Sequence, residues 1–164
     1  MKRIIDAELE TWAAEKEPKP LLLRGARQVG KTYAVRKLGK SFKHFAELNF
    51  DENPEIATFF DGALSAGPIV EKLAAYTHTP ITPGKTLLFL DESQACPRSL
   101  AALRYFREQL PSLHVIAAGS LLEFALEEIP SLGVGRLTSR FMYPMTFTEF
   151  LLGIGEAALV DMMN

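Results

Sequence analysis

The chain has 164 residues, enough to bury a sizeable core within a single domain. Hydrophobic residues make up 48% and charged residues 23%, ordinary globular values that exclude the disordered and fibrous classes. With 18 basic against 20 acidic residues the net charge is −2, so no overall basic field exists to gather nucleic acid. Cys96 is the one cysteine, which rules out an internal disulfide and suits a reducing compartment. Asp6 and Glu8 come too early for a secretory signal, and no apolar run approaches the roughly 18 residues of a membrane helix. The expected location is the cytoplasm, with no membrane partner.

In chain order, Ile5, Leu9 and Trp12 recur at helical spacing and predict a short amphipathic helix ending before Pro18 and Pro20. Leu21-Leu22-Leu23 reads as a buried strand followed at once by a Gly-rich turn. A helix is expected from Lys31 to about Leu38, and a strand from His44 to Phe50. Asn53-Pro54 has the form of an N-cap with proline in the first turn, opening a helix through Phe60. A further helix spans Pro68 to Thr77. Thr86 to Leu90 is a strongly apolar strand ending in Asp91-Glu92. Arg98 to Leu110 is a helix with Leu100, Leu103, Phe106 and Leu110 facing inward. Leu113 to Ala118 is a fourth strand, Leu121 to Glu128 a short helix, and Ser139 to Tyr143 a fifth strand. Thr146-Phe147-Thr148-Glu149 is a capping box that starts a last helix, whose apolar positions include Leu151, Leu152, Leu159 and Met162. Apolar strands alternating with helices predict an α/β fold, a parallel sheet with helices on both faces and right-handed crossovers. The unpartnered apolar face of the last helix suggests the first domain of a longer protein.

Gly25-Ala26-Arg27-Gln28-Val29-Gly30-Lys31-Thr32 fits G-x-x-x-x-G-K-[ST] at every fixed position. Glycines permit backbone torsions and close approach that a side chain would block. The loop's N–H groups and the helix N-terminus behind them then form a cradle for anionic phosphate. Lys31 is expected to reach the β- and γ-phosphates, and Thr32 to place its hydroxyl on a magnesium ion. Tyr33 completes the expected nucleotide-binding stretch. A plain Gly-Lys-Thr helix start is the bland alternative. At average glycine usage a chance match in a chain this long is on the order of a one-in-a-hundred event, and the flanking strand and helix lower it further.

Leu87-Leu88-Phe89-Leu90 carries Asp91 and Glu92 to the carboxyl end of a strand, the edge where ligands bind in an open parallel sheet. Asp91 is the candidate magnesium residue with Thr32. Glu92 is the candidate base that orients or deprotonates a water attacking the γ-phosphate. The residues Asp91-Glu92-Ser93-Gln94 lack the Asp-x-x-Gly of a Ras-like GTPase, and Asn-Lys-x-Asp occurs nowhere, so ATP is the expected nucleotide.

Ser120, at the end of the fourth strand, either senses the γ-phosphate or caps the next helix in a Ser120-to-Glu123 capping box. Arg136, in Gly133-Val134-Gly135-Arg136, and Arg140 are candidate arginine fingers for a neighbouring subunit of a homo-oligomer, against solvated surface arginines. Gln94 either approaches the γ-phosphate or caps the following turn. Cys96 reads as a small buried or loop thiol and Trp12 as core. His44, His78 and His114 are too scattered for a metal site.

Together these residues resemble a known group. Gly-Ala-Arg-Gln-Val-Gly-Lys-Thr, Leu-Phe-Leu-Asp-Glu-Ser-Gln, Ala-Ala-Gly-Ser and Tyr143-Pro-Met-Thr-Phe-Thr-Glu-Phe-Leu look like the prokaryotic AAA-type ATPases of poorly known function. The first two motifs are shared with many P-loop ATPases; the Tyr143-to-Leu151 stretch is more specific. The resemblance implies a five-stranded core in order 5-1-4-3-2 and a glutamate-dependent ATPase site. It also implies a helical lid and a nuclease-like domain downstream, the only route by which nucleic acid would enter. Ser93 stands where the group has an apolar residue, and Ser120 stands at the sensor position. The expected function is magnesium-dependent ATP hydrolysis to ADP and phosphate, coupled to movement of a downstream domain or partner. A small-molecule or nucleotide kinase and a non-hydrolysing ATP switch are the alternatives.

Overall fold

The computed structural model describes residues 1–129 and 135–163. Five parallel strands form one sheet in the order β2-β3-β4-β1-β5: β1 (Leu21–Arg24), β2 (His44–Asn49), β3 (Thr86–Asp91), β4 (His114–Gly119) and β5 (Thr138–Phe141). This is the expected order 5-1-4-3-2 read from the other edge.

Every residue of β3 and β4 is buried, and successive side chains supply opposite faces. Leu22, Leu88, Leu90, Val115 and Ala117 pack to one side with Ile69, Leu73, Leu100, Leu103 and Phe106 from α3 (Ala66–Thr77) and α4 (Pro97–Gln109). Leu21, Leu23, Leu87, Phe89, Ile116 and Ala118 pack to the other with Ile5, Leu9 and Trp12 of α1 (Ile4–Ala13) and Ala34, Val35 and Leu38 of α2 (Lys31–Gly39). Burying each such Leu, Ile or Phe side chain contributes about 1.5–3 kcal/mol, so a strand apolar on both faces is stable only between two helical layers. Cys96 and Trp12 are both buried, as expected.

Three local expectations change. Residues Pro54–Phe60 form a 3-10 helix, not an α-helix, and Asn53 makes no side-chain cap. The i→i+3 bonds Ile56 N–H to Asn53 O and Asp61 N–H to Thr58 O, both 3.2 Å, bring Ile56 and Phe60 into the core within one short segment. The last helix is two: α6 (Phe147–Gly153) and α7 (Ala157–Met163). Gly155, at φ +89°, turns the chain left-handed, and Glu156 N–H closes on Leu151 O at 2.9 Å, a glycine stop that helical periodicity alone overlooks. Leu151 is buried, whereas Leu152, Leu159 and Met162 are exposed. Finally, α5 (Leu122–Glu127) begins without the Ser120 cap; Leu121 occupies the cap position at φ 59°.

Candidate functional site

Strand register decides which residues meet. Arg24 pairs with Gly119, Leu90 with Ala117 and Asn49 with Asp91, so the carboxyl ends of β1, β4, β3 and β2 share one edge. Three chain segments that the motifs single out, Gly25–Thr32, Asp91-Glu92 and Ser120, emerge there together.

The loop between β1 and α2 is held in shape by its own glycines and by β5. Met142 N–H donates to Arg24 O at 2.8 Å, and a Cβ on Gly25, whose φ is +144°, would collide with the Met142 carbonyl. Gly30 caps α2 in the left-handed region at φ +98°, which a side chain rarely adopts. The first turn of the nine-residue α2 therefore presents unpaired N–H groups and its positive dipole end to the loop. Lys31 is buried there and its Nζ donates to Gly25 O at 2.7 Å and Ala26 O at 2.6 Å. Burial lowers the Lys31 pKa, opposed by the charges of Glu92 and Asp91. Ala26, Arg27 and Gln28 stand exposed at the rim, Val29 packs inward, and Tyr33 is exposed on α2.

Thr32 Oγ1 donates to Asp91 Oδ2 at 2.7 Å, joining the loop to the end of β3 across 59 residues. Burial pushes the Asp91 carboxyl up from its usual range; the Thr32 hydroxyl and the Glu92 N–H pull it back, and the charges of Glu92 and Glu47 add to the rise. A buried carboxylate beside a hydroxyl, facing a buried ammonium, is a donor set for a hard divalent cation. The next residue, Glu92, has φ 52°, and its N–H donates to Asp91 Oδ1 at 2.9 Å. That left-handed turn swings its side chain into an open cleft of about 570 Å³ that also involves Arg27, Lys31, Thr32, Arg36 and Asp51. Phosphate cradle, hydroxyl and carboxylate for a cation, and a second carboxylate in the same cleft fit a magnesium nucleotide.

The comparisons agree with this geometry. Residues 17–151 match the profile of the AAA domain. The chain belongs to the AAA domain family. Among solved structures it is similar to the Walker-type ATPase PABY2304 of Pyrococcus abyssi, with a TM-score of 0.57 at 18% identity. The match covers 97% of this chain and 59% of that one, so the AAA domain here spans well under two thirds of that protein. No curated protein matches the sequence. Among the described residues, no helix is long and apolar enough to cross a membrane.

Other expected site residues fall less simply. Ser120 is buried with its Oγ unpartnered, and no side chain caps α5, so the capping-box reading is corrected. Leu121 adopts the left-handed turn instead, while Glu123 bonds Arg24 at 2.7 Å. Gln94 caps nothing; its Nε2 donates to Glu92 Oε2. Ser93 is fully buried and satisfied, its hydroxyl donating to Leu90 O at 2.8 Å. Arg136 precedes β5, and so lies at the end of the sheet opposite the AAA domain's own phosphate loop, where it pairs with Glu108 at 3.2 Å. Gly133 and Val134 of that motif lie outside the described residues. Arg140 pairs with Glu8 on α1 at 2.8 Å. Among the described residues no cluster of metal-ligating side chains involves the histidines.

Arg3 carries a role that no local pattern announces. Its guanidinium donates to Val29 O in the phosphate loop at 3.2 Å, to Tyr143 O at 3.0 Å and to Glu149 Oε1 at 3.0 Å. Glu149 is also bonded by Ile4 N–H and Thr146 N–H, both at 2.9 Å. Burial would raise this carboxyl, but the two backbone donors and Arg3 outweigh it and hold it at about 2. One buried ion pair thus ties α1 and α6 to the loop.

Proposed function

We propose that this AAA domain binds ATP with magnesium and hydrolyses it to ADP and phosphate. The observation that carries the reading is the Thr32–Asp91 contact of 2.7 Å, with Glu92 next in the chain and lining the same cleft as Lys31. The loop N–H groups and Lys31 would hold the phosphates, Lys31 exchanging its bonds to the Gly25 and Ala26 carbonyls for phosphate oxygens. Thr32 and Asp91 would hold the magnesium ion, which when bound neutralises charge on the β- and γ-phosphates. Glu92 would orient a water and accept its proton as the water attacks the γ-phosphate. Ser120, with a free hydroxyl at the same edge, would donate to the γ-phosphate as a sensor.

Arg136 lies before β5 at the opposite end of the sheet and Arg140 is paired with Glu8 on α1, so a finger role for Arg136 calls for a second copy of the chain in a homo-oligomer. We place the element driven by hydrolysis downstream of α7. The exposed Leu152, Leu159 and Met162 support that placement.

Phosphate release from ATP, measured without any acceptor, tests the reaction. Glu92→Gln should abolish release while ATP binding persists, and Lys31→Ala should weaken binding itself. Release that requires an added acceptor would replace the ATPase with a kinase. Binding without release under any condition would leave a nucleotide switch.

A further inference from the structure

Glu92 does not stand alone at the sheet edge. The left-handed turn at Glu92 leads into a short 3-10 segment, Ser93–Ala95, which packs against the end of β4 and the start of α5. From that segment the Gln94 side chain folds back, and its Nε2 donates to Glu92 Oε2. The other end of the same carboxamide, Oε1, is buried without a partner. It presses against Gly119, where an added Cβ would collide with it. Ser120 Oγ, one residue on, is buried and unpartnered too.

We propose that Gln94 is a positioning residue, whose carboxamide ties the Glu92 carboxylate to the end of β4 and so sets which oxygen faces the water. The proposal rests on the hydrolytic reading above. An amide NH₂ only donates, so it engages one carboxylate oxygen and leaves the second, Oε1, to accept a proton. A glutamate side chain has three rotatable bonds, and a single well-placed donor removes much of that freedom before reaction. Gln94 acts through Glu92, whose carboxylate its Nε2 holds and which itself lines the phosphate cleft. A capping role would look different: the side-chain bond at the start of α4 is the Ser99 hydroxyl donating to Cys96 O at 2.7 Å, and the Gln94 amide donates to Glu92 instead. The contact with Gly119 adds a second consequence. Gly119, which precedes Ser120, forms the seat of the Gln94 carboxamide, so a side chain added there reaches Glu92 through Gln94. A Cβ at Gly119 would displace the Gln94 carboxamide without a backbone clash, which makes the position a probe of that contact.

The test compares wild type with Gln94→Leu, Gln94→Glu, Gly119→Ala and Glu92→Gln. Gln94→Leu keeps the volume and removes the donor; kcat should fall about 10- to 100-fold, the usual cost of a misplaced catalytic group. KM and the affinity for N-methylanthraniloyl-ATP should stay within about twofold, since ground-state binding is untouched. Gly119→Ala should reproduce that split. Gln94→Glu places two carboxyls together, so they share a proton until the pH rises. Its kcat relative to wild type should be greatest at acid pH and fall as pH increases, a profile that a merely structural side chain would not produce. A readout independent of turnover is the Gln94 side-chain amide signal in a ¹H–¹⁵N spectrum, identified by its loss in Gln94→Leu. It should be displaced from the free-amide position in wild type and return there in Glu92→Ala. An undisplaced signal in wild type, or Gln94→Leu with wild-type kcat, overturns the proposal. Wild-type turnover retained in Glu92→Gln would instead overturn Glu92 as the base, and absence of acceptor-free release from wild type would overturn the hydrolytic reading; in both cases the amide signal would still decide the contact.

Discussion

Glu149→Gln removes one charge from the cluster that joins α1, α6 and the phosphate loop, and its cost can be worked from the structure. The carboxylate accepts from Ile4 N–H at 2.9 Å, Thr146 N–H at 2.9 Å and Arg3 Nε at 3.0 Å, and sits at about 2 against an ordinary value of 4.5. At 1.36 kcal/mol per unit, that depression represents roughly 3 kcal/mol of folding stability at neutral pH. Because the folded-state value is lowered, this stability is present above about pH 4.5 and is lost as pH falls toward 2. Glutamine keeps the shape but cannot carry the charge, and leaves the Arg3 guanidinium, itself largely buried, without its counterion. The variant should therefore be less stable than wild type by roughly 3 kcal/mol at pH 7, or some 6–12 °C in Tm for a chain of this size. Urea unfolding followed by circular dichroism between pH 7 and 2.5 measures the difference, with the m-value checked for constancy. The gap between the two proteins should shrink as pH falls below about 4.5. A gap that stays constant with pH, or that is under about 1 kcal/mol at neutral pH, would refute the assignment of this carboxylate as the charged anchor.

Other outcomes follow from the same geometry. Ser120→Ala should leave stability unchanged or slightly raised, because the hydroxyl is buried without a partner; a loss of about 1 kcal/mol would restore the capping role. Its phosphate release should nevertheless drop, and equal activity would end the sensor reading. Gly25→Ala should lower both thermal stability and ATP affinity, since φ +144° and the Met142 carbonyl leave no place for a methyl group; a variant that binds ATP as tightly as wild type would show that the loop has room to shift. Arg3→Ala should weaken ATP binding by loosening Val29, measured by titration with N-methylanthraniloyl-ATP, and unchanged affinity would confine Arg3 to folding.

Much of the fold was legible because its signals are local. Leu21-Leu22-Leu23, Thr86–Leu90 and Leu113–Ala118 are apolar on both faces, which in water is tolerable only inside a parallel sheet. Glycine spacing in Gly25–Thr32 and the paired acids at Asp91-Glu92 are likewise read from neighbours along the chain. The helix type at residues 54–60, whose bounds were legible, and the break at Gly155 turn on hydrogen-bond choices between i+3 and i+4 that composition hardly distinguishes. The Ser120-to-Glu123 box was a sound local pattern, overridden by a left-handed turn at Leu121 and by Arg24 claiming Glu123.

The sequence by itself determined a parallel α/β sheet, a phosphate loop and two carboxylates at a strand end, since each is a property of contiguous residues. Only the tertiary structure decided that Arg3 reaches Glu149 across 146 positions and grips Val29. Only it decided that Gln94 turns to Glu92 against Gly119, and that Arg136 stands at the far end of the sheet. Strand order and register bring those groups together, and they are set by the joint burial of many side chains, which no single segment encodes.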